Sequence, residues 1–323
     1  MDNICHTLVG AALGEAGLKH RTVLGAATLM IGANFPDIDI IAVPLGHGLE
    51  FRRGWTHGIP ALIVLPFLLT GLMLAWDLLV RRRRKPVASA ARPGQLLLLA
   101  TISILTHPVL DWLNVYGMRW LMPFDGRWFY GDALFIVDPW IWGSLAVGIV
   151  WTRRLLRSAR DPAKVRAAHR PARWALAGVA TYILAMLAAS VSGRRLVQRE
   201  LAADGRANAN LMVAPVPVNP FRRMVVFDDG SEYRFGELSW LPLPRFGIDE
   251  RVVQKGAAAP SIAAARATPE GRAFLNWARF PFFVVERDAQ SSLVRIGDAR
   301  YTVDAEESWA ATAVRIPNIT NDR

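Results

Sequence analysis

The feature that most constrains this chain is a set of four apolar runs, each close to the length that a helix needs to cross a bilayer. They are Ile59 to Val80, Gln95 to Leu113, Leu134 to Trp151 and Trp174 to Gly193. A helix satisfies its backbone hydrogen bonds internally, so such runs can lie in lipid without leaving polar groups unpaired. The pattern predicts a polytopic helical membrane bundle.

Two shorter apolar pieces, Ile4 to Leu18 and Thr22 to Ala33, flank the polar turn Lys19-His20-Arg21. At ~1.5 Å per residue, each is too short to cross the hydrocarbon core alone. We therefore expect an N-terminal helical hairpin, tilted or re-entrant, that packs against the four spans. Together these segments define a mainly α membrane-embedded domain, residues 1–193.

Residues 194–323 change character and predict an extramembrane α+β domain. Short runs separated by turn signals such as Asp-Asp-Gly indicate β-strands. The predicted strands are Arg223 to Asp228, Glu232 to Phe235, Phe280 to Glu286, Ser292 to Ile296 and Arg300 to Val303. A helix is expected near Thr268 to Ala278, whereas Lys255 to Ala267 lacks apolar periodicity and predicts a loop.

The charge pattern gives a membrane topology rather than a nucleic-acid interface. Lys and Arg outnumber Asp and Glu by 38 to 27, but basic residues concentrate in the loops 81–92 and 153–173 between apolar runs. By the positive-inside rule both loops face the cytoplasm. Residues 34–58, residues 114–133 and the C-terminal domain then lie on the opposite side of the membrane. The alternative is an inverted orientation, which Arg194, Arg195 and Arg199 favour and which would leave the candidate ligands on one face all the same. The single cysteine, Cys5, excludes a disulfide framework and a CxxC zinc module.

Three motifs place costly ionisable groups at the ends of apolar segments: NFPDID at 34–39, RGWTHG at 53–58 and THPVLDW at 106–112. His107 and Asp111 are four residues apart and so share one helix face. Asp37 and Asp39 can supply hard oxygen ligands from one turn. The candidate metal ligands are His6, Asp37, Asp39, His57, His107 and Asp111. This nitrogen and oxygen set suits zinc first, with manganese or iron as alternatives, as one or two ions.

Further residues on the same predicted face are candidates for catalysis and binding. An uncoordinated carboxylate of Asp39, Asp132 or Asp138 could act as general base, although Asp138 precedes Pro139 and could instead cap a helix. Arg53 and Arg127 could clamp an anionic substrate group, or could anchor the chain at the membrane interface beside neighbouring tryptophans.

These motifs resemble a known family. The start NICHTLVGAALGEAGL, the NFPDID turn, the RGWTHG entry to a span and the HPVLDW helix are similar to the YdjM and YbcI type of bacterial inner-membrane proteins, described as metal-dependent hydrolases. The similarity is strong over about the first 150 residues and looser in the tail, in PVPVNPFRRMVV, NWARFPFFVVE and IGDARYTVD. It implies a hydrolase with metal ligands at the positions of the six candidates named above, and more weakly at Asp138. It also implies a bacterial inner membrane, so that the face with the site and the C-terminal domain is expected to be periplasmic.

The sequence therefore predicts a multi-pass membrane hydrolase in which a divalent metal activates water. A site at interfacial depth on the outer face favours a lipid or lipid-linked substrate, with phosphodiesters preferred because of the nearby arginines. Two alternatives remain: a divalent-cation transporter, and a non-catalytic scaffold in which the metal ties helices together. The expected partner is the lipid bilayer, without nucleic acid.

Overall fold

The computed structural model describes residues 1–44, 48–85, 87, 89–207, 209–256, 258–306 and 308–317. It divides into two compact units, Met1–Ala189 and Ser190–Arg323. The division falls inside a long helix, so a continuous stretch of helical backbone belongs partly to each unit.

The first unit is built from helices and short helical turns. The α-helices are α1 (Asn3–Glu15), α2 (Gly25–Gly32), α3 (Gly48–Phe51), α4 (Ile59–Trp76), α5 (Arg82–Arg84), α6 (Pro93–Trp112), α7 (Pro139–Ser158), α8 (Pro162–Ala168) and the first part of α9 (Arg170–Ala203). The 3₁₀ turns Leu18–Arg21 and Phe35–Ala42 follow α1 and α2, and a π-turn, Asp77–Arg81, continues α4.

Within the described residues, three helical segments are long and apolar enough to cross a membrane: Ile59–Arg84, Pro93–Trp112 and Pro162–Ala203. They include three of the four predicted spans. The fourth prediction, Leu134 to Trp151, is not confirmed as a span. Its first residues are not helical, and α7 starts at Pro139, where the Asp138 carboxylate caps the N–H groups of Trp140 and Ile141. α7 also contains basic residues in its last turns, which lower its apolar character.

Helix α6 lies at the centre of the packing. One face carries Leu96, Ala100 and Ile104, which pack with Leu65 and Leu69 of α4. A second cluster joins α1, the end of α6, α7 and α9. α1 approaches α2 closely at Gly10, where a Cβ atom would lie 2.5 Å from the carbonyl oxygen of Leu29. A side chain there would push the N-terminal hairpin apart, so the predicted hairpin depends on this glycine.

The two ends of this helical unit differ in chemistry. At one end, Glu15 is paired with Lys19 at 2.5 Å and with Arg153 at 2.7 Å, and its carbonyl oxygen accepts a hydrogen bond from His169 Nδ1 at 2.6 Å. The first turn of α1 and the last turns of α6 lie at the other end. The helix directions therefore collect basic residues at one end and the His and Asp residues of the three motifs at the other.

The second unit contains two antiparallel sheets. The first has the order β1 (Leu211–Pro215), β2 (Arg222–Asp229), β3 (Glu232–Ser239), β4 (Arg245–Gln254). The second has the order β5 (Pro281–Arg287), β6 (Ser291–Asp298), β7 (Ala311–Pro317). Helices α10 (Pro260–Ala267) and α11 (Pro269–Trp277) connect the sheets along the chain.

The α+β character of this unit is as expected, and four of the five predicted strands correspond to β2, β3, β5 and β6. Strands β1, β4 and β7 were not predicted, and two predictions are wrong. Arg300 to Val303 is not a strand, because the chain turns immediately after β6. There the Arg300 guanidinium pairs with Asp298 at 2.8 Å and lies against the rings of Trp277 and Tyr301. The predicted loop Lys255 to Ala267 contains α10, which buries Ile262 and Ala265.

Candidate metal centre

Four side chains from three separate segments converge at one end of the helical unit. They are Asp37, His57, His107 and Asp111. One nitrogen or oxygen atom from each lies within 4.8 Å of the corresponding atom of every other member. Helix α6 supplies His107 and Asp111 from adjacent turns of one face. The 3₁₀ turn Phe35–Ala42 supplies Asp37, and the segment before α4 supplies His57.

The distances between these atoms fit the coordination shell of one metal ion. His57 Nε2 lies 3.1 Å from His107 Nε2, and Asp111 Oδ2 lies 3.6 and 3.5 Å from those two nitrogens. Asp37 Oδ1 lies 3.9 and 3.6 Å from the same nitrogens. Ligands about 2.0–2.1 Å from a tetrahedral ion are separated by roughly 3.4 Å, so the observed spacings need only small adjustment.

The hydrogen bonds on the far side of each imidazole fix which nitrogen can bind a metal. His107 Nδ1 lies 2.7 Å from the carbonyl oxygen of Ala33, which can only accept, so Nδ1 carries the proton. His57 Nδ1 lies 3.0 Å from Thr56 Oγ1, and Thr56 Oγ1 lies 3.2 Å from Asp39 Oδ2. All three groups are satisfied when His57 Nδ1 donates to Thr56 and the hydroxyl donates to Asp39. Both Nε2 atoms then present lone pairs to the group.

These lone pairs need a cation. Two imidazole nitrogens 3.1 Å apart repel when neither carries a proton, and Asp111 Oδ2 is buried without a hydrogen-bond partner. A single shared proton would satisfy the two nitrogens but not the two carboxylate oxygens that face them. A divalent cation satisfies all four atoms, so the donor set fits a metal ion with nitrogen and oxygen ligands.

The electrostatics of the two ligands outside the candidate spans agree with this interpretation. Burial lowers the pKa of His57, which favours the neutral imidazole that a metal requires. Burial alone would raise the pKa of the Asp37 carboxyl, but the hydrogen bond and the positive charge of His107, protonated when no metal is bound, lower that pKa to about 2. A metal ion in the place of that proton would keep the carboxylate charged in the same way. Asp37 is therefore a carboxylate at neutral pH. Its side chain is 11% exposed, whereas those of His57, His107 and Asp111 are fully buried.

Asp39, predicted as both ligand and base, lies behind the group rather than in it. Its Oδ2 atom accepts hydrogen bonds from the backbone N–H of Arg53 at 2.7 Å and from Thr56, and it lies 3.5 Å from His57 Nδ1. A carboxylate in this position orients a metal-binding imidazole from its far nitrogen. The two aspartates of NFPDID thus face different atoms.

His6 is next to the group but outside it. Its Nε2 atom lies 3.2 Å from Asp111 Oδ1, the oxygen turned away from the imidazole pair, and its ring stacks on His107 with centroids 3.9 Å apart. The Met1 amino group contacts the same oxygen. His6 therefore holds Asp111 from behind, while Asp111 Oδ2 faces the group.

The two arginines predicted to bind substrate have different surroundings. Arg53 is buried, with its Nε atom 3.0 Å from Asp111 Oδ2 and its Nη1 group donating to Asn114 Oδ1 at 3.2 Å. Arg127 is exposed and pairs with Asp125 two residues away at 2.6 Å. Arg53 thus lies at the centre, and Arg127 makes a local contact on a surface turn.

The other two predicted bases lie outside the four-residue group. Both oxygens of Asp138 are used, because Oδ1 caps α7 and Oδ2 accepts from the Tyr182 hydroxyl at 3.0 Å. Asp132 is buried at a left-handed backbone position, with φ 48°. Asp138 therefore caps the N-terminus of α7, as the alternative drawn from the following Pro139 predicted.

The contacts of three further residues that support the site were not predicted from the sequence, although Arg119 was expected on the same face. Thr56 links His57 to Asp39, and Asn114 accepts from Arg53 and from the N–H groups of Tyr116 and Gly117. The guanidinium of Arg119 donates to the carbonyl oxygens of Glu50 and Arg52. The role of Thr56 could have been predicted, because Thr56 is the neighbour of the candidate ligand His57 in the sequence. The contacts of Asn114 with Arg53, and of Arg119 with Glu50 and Arg52, join residues more than 60 positions apart and leave no local pattern.

Comparison with known proteins gives the family of this helical unit. The family model for the YdjM inner membrane protein matches residues 1–196, more than half of the chain. The chain belongs to the YdjM inner membrane protein family. The match confirms the resemblance drawn from the motifs. The matched region contains all four members of the candidate metal-ligand group and the three candidate spans up to residue 196.

One curated relative is the uncharacterised protein YfhP of Bacillus subtilis (strain 168), which is 27% identical over 165 residues. The match covers 47% of this chain and 46% of that protein, so the chain spans about half the length of this relative. No solved structure gives a significant match. The YdjM family assignment therefore establishes an inner-membrane protein and leaves its chemistry to the site.

Proposed function

We propose that this YdjM-family protein is a membrane-bound metal-dependent hydrolase. The observation that carries the proposal is the convergence of two Nε2 lone pairs and two carboxylate oxygens on one point inside the helical unit. Asp37, His57, His107 and Asp111 would hold the ion. The lack of thiolate ligands favours zinc, with manganese or iron as alternatives.

When bound, a divalent ion would polarise a substrate oxygen and lower the pKa of a water ligand towards ~7. The protein residues have separate tasks. Asp39 and the Ala33 carbonyl hold the two imidazoles in one tautomer, and His6 holds Asp111. Asp37 is the member of the group with side-chain exposure, which supports a role for its second carboxylate oxygen as the acceptor of a proton from water.

The surroundings of Asp37 support a lipid or lipid-linked substrate. Its neighbours Ile38, Ile40 and Ile41 on the same 3₁₀ turn are 39%, 52% and 67% exposed. Large aliphatic side chains beside the partly exposed member of a polar site fit an apolar substrate better than a water-soluble one. The preference for a phosphodiester has less support, because Arg53 contacts Asp111 and Arg127 pairs with Asp125.

We place the site and the C-terminal domain on the periplasmic side. The metal-binding group lies at the end of the bundle away from Lys19 and Arg153, and the arginine-rich loops favour a cytoplasmic position for that basic end. Labelling of single cysteines introduced at the two ends in intact cells would test this orientation.

The main test compares His107→Ala with the matched control His20→Ala, which removes an exposed histidine on the turn after α1. Both proteins are purified in detergent and assayed for bound metal and for hydrolysis of short-chain phospholipid and fluorogenic ester and phosphodiester substrates. We expect His107→Ala to lose metal and hydrolysis together, and His20→Ala to keep both. Retention of metal and hydrolysis by His107→Ala would refute the proposal.

A non-catalytic metal scaffold is the second candidate, because three of the four ligand side chains are fully buried and a closed shell is typical of structural sites. In that case a chelator would lower the melting temperature of the protein, and the metal-loaded protein would hydrolyse none of the substrates. The transporter alternative gains no comparable support, since the described residues contain one such group, at one end of the bundle.

A further inference from the structure

Arg53 places a permanent positive charge beside the metal-binding group. Its Nε atom lies 3.0 Å from Asp111 Oδ2, the same oxygen that lies 3.5 Å from His107 Nε2 and 3.6 Å from His57 Nε2. The contact is an ion pair without hydrogen-bond alignment, since neither Arg53 Nε nor Asp111 Oδ2 has a hydrogen-bond partner. The guanidinium therefore acts on this oxygen mainly through its charge.

The position of this guanidinium is fixed from several directions. Its Nη1 group donates to Asn114 Oδ1 and to the carbonyl oxygen of Gly117, both at 3.2 Å, and its Cζ atom lies 4.6 Å from the centre of the Tyr116 ring. The backbone of Arg53 has φ 51°, a left-handed conformation that non-glycine residues rarely adopt. Such a position persists only where the surroundings impose it.

Two backbone hydrogen bonds impose that conformation. The N–H group of Arg53 donates to Asp39 Oδ2 at 2.7 Å, and its carbonyl oxygen accepts from the N–H group of Arg119 at 2.9 Å. The first bond ties the cation to the carboxylate that orients His57. The charge of Arg53 is thus built into the same hydrogen-bond network as the candidate ligands.

The other oxygen of Asp111 is also engaged. His6 Nε2 lies 3.2 Å from Asp111 Oδ1, and the Met1 amino group contacts that oxygen as well. In a two-metal site a carboxylate commonly bridges ions about 3.5–4 Å apart, with one oxygen on each. Here Oδ2 faces the four-residue group and Arg53, and Oδ1 faces His6, so a second ion that used Asp111 as a bridge would have to displace the contact with His6.

We infer that the centre binds a single metal ion and that Arg53 is the fixed cation that takes the place of a second one. This inference rests on the metal site of the proposed function and decides between its one-ion and two-ion forms. Arg53 acts as a positioning residue: it compensates the buried Asp111 and repels further cations. Because it also repels the bound ion, it weakens the affinity of the site for metal.

The test uses the full-length protein in detergent, with three measurements that do not depend on hydrolysis. Zinc per chain is measured by elemental analysis, zinc affinity by competition with a chelator, and ion pairing by the electron paramagnetic resonance spectrum of the Mn²⁺-loaded protein. We expect one zinc per wild-type chain and a spectrum of isolated, uncoupled Mn²⁺. Arg53→Met should lower the zinc Kd at least about tenfold, because a like charge near the ion is removed while His6 still holds Asp111.

Arg53→Lys is the matched control, since it keeps the charge, and its Kd should stay within about threefold of wild type. Two zinc ions per wild-type chain, or a coupled Mn²⁺ pair, would overturn the inference and leave the metal site of the proposed function intact. So would an Arg53→Met protein that binds zinc no more tightly than Arg53→Lys. If Arg53→Met does not fold, Arg53→Gln replaces it. A wild-type protein that binds no metal would overturn the proposed function, and this inference with it.

Discussion

The substitution Asp39→Asn tests whether the second carboxylate of the NFPDID motif orients a metal ligand. In the structure Asp39 Oδ2 accepts from Arg53 N–H and Thr56 Oγ1 and lies 3.5 Å from His57 Nδ1. Asparagine can keep the two hydrogen bonds only by placing its amide oxygen where Oδ2 lies. The variant then loses the negative charge behind His57 without losing the shape of the side chain.

The size of the expected effect follows from the role of that charge. Replacing a carboxylate that orients a metal-binding histidine typically weakens metal affinity 10–100-fold, or about 1.4–2.7 kcal/mol. We expect Asp39→Asn to fall in this range, because His57 is one of four candidate ligands and the other three keep their contacts. A loss much larger than 100-fold would indicate that Asp39 itself binds the ion.

The assay is zinc competition with a chromophoric chelator on detergent-purified protein. Asp125→Asn is the matched control, since it makes the same chemical change in an exposed ion pair with Arg127 and should leave the zinc Kd unchanged. A zinc Kd for Asp39→Asn within twofold of wild type would contradict the orienting role. If that variant also lost hydrolysis, Asp39 would instead be the general base.

Three further predictions test the packing around the centre and in the second unit. Gly58→Ala should destabilise the helical unit by about 1–3 kcal/mol, measured as a lower melting temperature, because a Cβ atom would lie 2.3 Å from the Met122 carbonyl oxygen. Arg300→Met should destabilise the C-terminal unit by about 3–5 kcal/mol, measured by denaturant unfolding, because it leaves the buried Asp298 carboxylate without its cation. Cys5, which is fully buried, should react with maleimide only after unfolding; rapid labelling of the folded protein would contradict the packing of α1.

The helices could be predicted from the sequence more accurately than the strands. α4 and α6 were expected within three residues of their observed starts, because length and apolarity decide both. α7 was placed too early because Leu134 continues the apolar run, although Leu134 forms a bridge with Asn114 instead of a helical turn. The Asp138-Pro139 pair was the signal for the true start. β1 was missed because all five of its residues are buried, so it shows no alternation of apolar and polar residues.

The sequence could predict which residues come together at the site, but not which atoms each of them contacts. Helical spacing brings His107 and Asp111 onto one face, and the charge of the loops places the three motifs at one end of the bundle. The different contacts of Asp37 and Asp39 could not be predicted. They depend on the directions in which a 3₁₀ turn points two side chains that are two residues apart. The inward position of Arg53 depends on a left-handed backbone and on the distant residue Asn114, and neither leaves a local pattern in the sequence.

Residues 33–39 contact the centre in three different ways. The Ala33 carbonyl oxygen fixes the tautomer of His107, Asp37 faces both imidazoles, and Asp39 approaches His57 from behind. A shift of this short segment would therefore change one ligand and the orientation of two others at once. The segment also carries the exposed Ile40 and Ile41, so the same residues that organise the ion's ligands form part of the apolar surface beside it. Metal affinity and contact with lipid are thus expected to depend on each other through residues 33–41. The test measures the zinc Kd of the wild type and of an Ile40→Ser, Ile41→Ser double variant, each in detergent and in lipid nanodiscs. A wild-type Kd that differs between the two environments, together with a variant Kd that is the same in both, would demonstrate that dependence.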